Sequence, residues 1–216
     1  FKAETYYQQL SNIPVETKKS SFSLANTGSG FSRFFPDTLQ NTGTGYNYGV
    51  EFSLEKSFTK GYFYLVSVSL FDAKYKGSDN VVRNSDFNTN YAMNGLFAKE
   101  WKVSKHGVLS VGGKLTFAGA RRYSPMDTLA SRREREYIEQ DSLKNTLRFG
   151  KSYSRFDLRL SYKINAKRVT HEFAIDLVNA TNRKNILKYS YTNEAPHFKE
   201  EYQLGFLPLF YYKLDF

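Results

Sequence analysis

Imidazole is the side chain most often used near neutral pH, so the three histidines are the first place to look for chemistry. His106 lies in a short polar turn, His171 at the start of an alternating segment and His197 in a polar stretch. A serine nucleophile would need one of them between a hydroxyl and an orienting polar group. His171 with Asp157 or Ser161 is the set to consider. Strand facing argues against it: His171 shares a side with Phe173, whereas Asp157 and Ser161 alternate with Phe156, Leu158 and Leu160. Scattered histidines without any cysteine offer no metal-ligand spacing. Gly43-Thr44-Gly45 lacks the downstream Gly-Lys-Ser/Thr of a phosphate loop. The chain reads as no enzyme and implies no cofactor.

Charge is the next resource. The net charge is +10, but the basic residues are spread along the chain and acids interrupt the one cluster, Arg132-Arg133-Glu134-Arg135. That distribution argues against a nucleic-acid partner. Within alternating segments the charges fall on one side: Glu51 and Glu55; Arg155, Asp157, Arg159 and Lys163; Glu172 and Asp176. They either line a ligand route or hold neighbouring strands together on a wet face, and the second role is the simpler. A long polar stretch carries Arg121, Arg122, Tyr123, Arg132, Arg133 and Arg135. These suit an anionic ligand, or belong to a solvated loop shared with Glu134, Glu136 and Glu139.

The elements that must position these residues are strands. Period-two alternation marks 46–58, 62–75, 91–103, 108–119, 151–164, 171–186 and 202–216, with a weaker strand at 1–10. Tyr46, Tyr48, Val50, Phe52, Leu54 and Phe58 share a face broken only by Lys56; Lys99 breaks the set Tyr91, Met93, Phe97 and Trp101 in the same way. Long polar connections are expected at 11–45, 76–90, 120–150 (with a short helix in 127–139) and 188–201. Apolar pieces at 22–24 and 31–35 of the first are free to pack or form short strands. Short turns are expected at 59–61, 104–107 and 165–169. Mean hydropathy is −0.56, and no run approaches the roughly eighteen apolar residues of a membrane-crossing helix. Aromatics at 17% suit strands and interfacial girdles. About eight antiparallel strands with alternating long and short connections form an all-β, barrel-type pattern, as in outer-membrane barrels. A soluble core strand would explain 202–216 alone, and a fatty-acid-binding type of barrel would explain the alternation but put the greasy face inside.

Several stretches carry a resemblance: Tyr46-Asn47-Tyr48-Gly49-Val50-Glu51; 69–77; Gly119-Ala120-Arg121-Arg122-Tyr123-Ser124-Pro125; 177–183; and Tyr211-Tyr212-Lys213-Leu214-Asp215-Phe216. The chain resembles the C-terminal barrel portion of TonB-dependent outer-membrane receptors of the Bacteroidetes type, over residues 1–216. The resemblance implies a share of a plugged barrel of about twenty-two strands, with the plug and N-terminal strands outside this chain. It implies import of a scarce ligand (ferric siderophore, cobalamin or glycan) with energy from the TonB complex, reached through the missing N-terminal part. Outer-membrane lipid and the barrel-assembly machinery are the other implied partners, the latter reading Tyr212, Leu214 and Phe216 as its signal. The competing reading is a self-contained small outer-membrane barrel with a structural or adhesion role.

If the charged sides face the lumen, Phe156, Leu158, Leu160, Phe173, Ile175, Leu177, Phe206, Phe210 and Leu214 face lipid. Cross-strand charge then selects a register. Arg159 opposite Asp176 and Lys163 opposite Glu172 attract, whereas a two-residue slip sets Asp157 against Asp176. The first register is predicted, with 166–169 as the turn; coordinates placing Asp157 opposite Asp176 would refute it.

Overall fold

A computed structural model describes residues 1–29 and 35–216. Eight long strands form one antiparallel meander: β1 Lys2–Glu16, β2 Leu39–Thr59, β3 Tyr62–Lys76, β4 Tyr91–Lys102, β5 Gly107–Ala118, β6 Tyr153–Asn165, β7 Thr170–Val178 and β8 Leu207–Asp215. Every strand pairs with its neighbours in chain order, and a short strand, Val82–Asn84, adds to β3. Among the described residues β1 pairs only with β2 and β8 only with β7, so the sheet is open. That departs from a self-closed small barrel, which would need β1 against β8.

Turn chemistry explains the short end. Lys60 (φ 56°) and Gly61 (φ 75°) join β2 to β3 in the left-handed region that a two-residue hairpin requires. The Val169 carbonyl accepts from the Ala166 amide between β6 and β7. The register there places Arg159 opposite Asp176 and Lys163 opposite Glu172. Arg159 reaches Asp176 and Glu172 at 3.2 Å each, Lys163 reaches Glu172 at 3.8 Å, and the Arg159 guanidinium lies over the Tyr211 ring at 4.7 Å. Glu172 is 8% exposed, so these partners settle a charge that would otherwise be buried alone.

Polarity is inverted relative to a soluble sheet. Following the register across the strands, Phe52, Val68 and Met93 share one side, as do Val111, Leu160, Ile175 and Phe210. Phe52, Leu160, Phe173, Phe210 and Tyr212 on that side are exposed, and Phe210 reaches 73%. Among the described residues the buried hydrophobics are only Val15, Tyr75, Phe149, Ala174 and Ile186, and buried polar side chains outnumber them. A water-soluble fold with this arrangement would have no core; a wall with lipid outside needs none. On β3 the outward apolar set runs from Tyr62 to Leu70 and gives way to Asp72 and Lys74. That length matches the about nine to eleven residues with which a tilted strand crosses a bilayer. Among the described residues no helix is long and apolar enough to cross.

Four expected boundaries need correction. The connection expected at 11–45 is shorter, because β1 runs to Glu16 and β2 begins at Leu39. The pairing is possible because Gly43 lacks a side chain: a Cβ there would stand 2.5 Å from Val15 Cγ1 and 2.8 Å from the Ile13 carbonyl oxygen. The strand expected at 171–186 stops at Val178, where Asn179 turns to φ 50° and its side chain caps Arg183. The polar loop expected at 188–201 is a hairpin, Ile186–Tyr191 with Phe198–Tyr202. The terminal strand is correspondingly shorter: Tyr202 belongs to that hairpin, and Leu204 and Phe206 precede β8. The helix is Thr128–Glu134, capped by Asp127, whose carboxylate accepts from Leu129 and Ala130 amides. Of the stretch 31–35, only Phe35 is among the described residues, and it is exposed; the rest of that expectation lies outside them.

Leu158→Arg or Ile175→Arg is expected to cost about 2–4 kcal/mol if placed near the bilayer midplane. Equilibrium unfolding of the intact barrel in lipid measures it; a cost near zero would mean that this side does not face hydrocarbon.

Candidate functional site at the long-loop end

The connections 17–38, 77–90, 119–152 and 179–206 all leave from the same end of the sheet and pack on one another. Polar side chains do the joining. Asp86 accepts from Asn26 Nδ2 at 2.9 Å and also from Ser29 and Asn145, tying three loops to one carboxylate. Asn26 returns the contact by accepting from the Asp86 amide at 2.7 Å. Asp141 accepts from the Ser21 amide at 3.0 Å and from its hydroxyl. Asp79 grips Arg83 with both oxygens, at 2.8 and 2.5 Å, and Arg83 is only 5% exposed. The Arg83 guanidinium holds the Asp79 carboxyl below its ordinary range.

A small aromatic core sits beside this network. Phe149 stacks on Tyr123 at 5.1 Å, Tyr189 meets both edge-on, and Phe198 packs on Tyr189 at 5.0 Å. Tyr189 and Phe198 come from the 186–202 hairpin, which explains why that segment is ordered. Tyr137 donates to the Ser124 carbonyl at 2.9 Å, and burial pushes its phenol up to about 12.

The arginine-rich loop divides into two roles. Arg121 donates to the carbonyls of Ser29 (3.1 Å) and Leu187 (3.4 Å). Arg122 donates to the Asn88 carbonyl and Asn90 Oδ1, each at 3.2 Å; burial, then Arg148 nearby, lowers its pKa. Tyr123 belongs to the aromatic core. These three build the loops. Arg132 meets His197 Nε2 at 2.9 Å and Arg133 pairs with Glu134, while Arg135 ends the helix at φ 56°. All three lie on the exposed face of the short helix. The six residues therefore do not form one constellation.

A feature that residue types did not announce is a polar cavity of about 380 Å³, lined by Ser20, Ser21, Ser23, Tyr75, Asp86 and Asp141 among others. Tyr75 is 2% exposed, and its hydroxyl has no hydrogen-bond partner among the described residues. A buried phenol without a partner is costly, so this group is available to a ligand or an ordered water. Only the alternation of β3, which turns Tyr75 inward, pointed this way.

The set His171, Asp157 and Ser161 is not brought together. His171 lies on the outward face with its Nδ1 2.7 Å from the Tyr212 hydroxyl, whereas Asp157 faces inward, paired with Arg155 and accepting from the Asn179 amide. Among the described residues no three His, Cys, Asp or Glu side chains are grouped to hold a metal.

The Asp79–Arg83 grip has a pH signature. A depressed carboxyl contributes fully above its unfolded pKa of about 3.9 and loses that contribution as pH falls through the folded value. Amide protection across 77–90, taken relative to the intrinsic exchange rate at each pH, is expected to fall in acid. Asp79→Asn is expected to remove that dependence and cost the loop about 2–3 kcal/mol at neutral pH. Exchange rates unchanged in the variant would show that the pair does not hold the loop.

A family profile described as "TonB dependent receptor-like, beta-barrel" matches residues 1–182. Nothing matches among curated proteins or among solved structures. The profile spans most of the chain, and the fold agrees: long antiparallel strands, apolar outside, with long loops gathered at one end. The chain belongs to the TonB-dependent receptor β-barrel family, which are transporters of the Gram-negative outer membrane energised through TonB rather than enzymes.

Proposed function

We propose that these 216 residues form the C-terminal share of a Bacteroidetes-type receptor barrel that imports a ferric siderophore, cobalamin or a glycan. The observation that carries the reading is the open inverted sheet. Among the described residues β1 and β8 each present an unpaired backbone edge, which hydrocarbon does not tolerate. Further strands of a larger barrel satisfy both edges. Tyr212, Leu214 and Phe216 serve as the assembly signal: Tyr212 and Leu214 lie outward on β8, and Phe216 follows it fully exposed. The Arg159–Asp176 and Lys163–Glu172 pairs face the lumen, and TonB is engaged through a part of the receptor outside this chain. Short turns face the periplasm and the loop cluster faces outside.

The cavity supports a hydroxyl-rich ligand, a glycan, over an anionic one. Serine hydroxyls, the carboxylates of Glu16, Asp86 and Asp141 and the Tyr75 phenol line it against a single lysine, Lys144, while Arg121 and Arg122 are engaged within the loops. An anionic siderophore would rest on Arg132, Arg133 and Arg135 instead.

Uptake by the intact receptor, with its plug, in energised cells tests both points. Tyr75→Phe and Asp141→Asn are expected to weaken glycan uptake several-fold to about tenfold, the effect of one lost hydrogen bond. Loss of ferric-siderophore uptake in an Arg132→Gln/Arg133→Gln variant, with no glycan uptake at all, would reverse the choice. Expressed alone behind a signal peptide, residues 1–216 are expected to restore no uptake; uptake by this piece would overturn the larger-barrel reading.

A further inference from the structure

Two lysines stand on the wrong side of the wall. Lys56 and Lys99 fall on the outward face, in register with apolar neighbours: Lys56 opposite Tyr64, and Lys99 between Tyr62 and Val111. They converge on one ring. Lys56 Nζ lies 4.1 Å and Lys99 Nζ 5.2 Å from the Tyr62 centroid, and Lys56 donates to the Tyr62 hydroxyl at 2.6 Å. Among the described residues neither lysine has a carboxylate partner; Lys99 has only the Lys60 carbonyl at 3.4 Å. Two like charges at one aromatic ring repel, and cation–π attraction is modest compensation at the edge of hydrocarbon. An anion in reach of both would resolve the repulsion. The Tyr62 oxygen already accepts from Lys56, so its own proton is free to be donated to that anion.

Position says which anion. The cluster adjoins the Lys60–Gly61 turn, at the short-turn end of the outward face, where Phe58 and Trp101 are exposed. Below it Tyr64 and Phe97 pair across β3 and β4 and offer an apolar track toward the midplane. The three short turns themselves carry Lys60, Lys105, Lys167 and Arg168 and no carboxylate. We propose that Lys56, Tyr62 and Lys99 bind the phosphate of an anionic phospholipid in the periplasmic leaflet, with an acyl chain along Tyr64 and Phe97. The inference rests on the short turns facing the periplasm.

The intact receptor, extracted from outer membranes and stripped to tightly held lipid, tests this by mass spectrometry of retained lipid and by rebinding phosphatidylglycerol against phosphatidylethanolamine in vesicles. Wild type is expected to retain and prefer the anionic phospholipid. Lys56→Gln/Lys99→Gln is expected to lose roughly thirtyfold in that preference, the effect of two interfacial cations, while Lys56→Arg/Lys99→Arg keeps it. The single Lys56→Gln and Lys99→Gln variants, which disturb the wall less, should each lose roughly fivefold, so the readout survives a double variant that fails to insert. Tyr62→Phe should weaken binding without abolishing the charge preference. Inorganic phosphate should not displace the lipid. Unchanged preference in folded Lys→Gln variants, full displacement by phosphate, or retention of lipid A in place of phospholipid would each overturn the proposal.

Discussion

Strand pairing in a medium without water is the constraint on which this structure depends. In hydrocarbon an unpaired amide or carbonyl has no alternative partner, so the backbone ladder has to be complete wherever lipid touches it. The ladder runs unbroken from β1 to β8, and side chains are sorted around it. Because lipid solvates the outer face, burial of apolar side chains contributes little, and the buried set is accordingly small and mixed. Register is then held by what lies on the wet side and at the turns: the Lys163–Glu172–Arg159–Asp176 chain and the Lys60–Gly61 hairpin. Arg159, Lys163 and Asp176 stay partly exposed, and pairs among such groups contribute little, about 0–1 kcal/mol, whereas the buried Glu172 depends on its partners. Their weight lies in the alternatives, since a two-residue slip would set Asp157 against Asp176.

The loops solve a different problem. They lie beyond the bilayer and must order themselves beside water, and they do so with carboxylate and amide groups that each satisfy several donors. Asp86 with Asn26, Ser29 and Asn145 is the clearest case, and the Tyr123–Phe149–Tyr189 rings form an apolar cluster beside it. A network of this sort is specific because partial satisfaction is penalised. It also explains why the loop arginines are poor guides to a ligand. A guanidinium with five donors is well suited to bridging carbonyls of separate loops, and Arg121 and Arg122 are used in that way.

What was legible in the sequence follows from where lipid is. Between Tyr46 and Phe58, or Phe156 and Ile164, one face must be apolar, and period-two alternation reveals the strand directly. β1 and β2 continue above the bilayer as 11–16 and 39–45, where Ile13, Val15 and Leu39 stand among polar residues, a proline and glycines and bulges shift the register, so the alternation is lost while the pairing persists. The 186–202 hairpin was hidden because Lys188, Lys199, Glu200 and Glu201 dominate its composition, while its ordering depends on Tyr189 meeting Phe149, a contact distant in sequence. The terminal segment misled in the opposite direction: alternation carries through Leu204 and Phe206 although the chain passes there from one sheet to another. Of the candidate site, residue types were visible and roles were not. Lys56 and Lys99 each broke a pattern, but only register brings them to Tyr62.

The extension of β1 and β2 beyond the bilayer also has a mechanical meaning. Pairing continues from Lys2 opposite Ser53 to Glu16 opposite Leu39, with bulges only near Leu10, Ile13 and Pro14. Val15, fully buried, then bridges to Ser23 in the first loop, and Ser21 of the same loop is fixed by Asp141 from the third. The cavity lining is thus attached to the wall through hydrogen-bonded strand and not through a flexible tether. Bulges are the places where such a ladder bends most easily, and these lie between the apolar belt and the cavity.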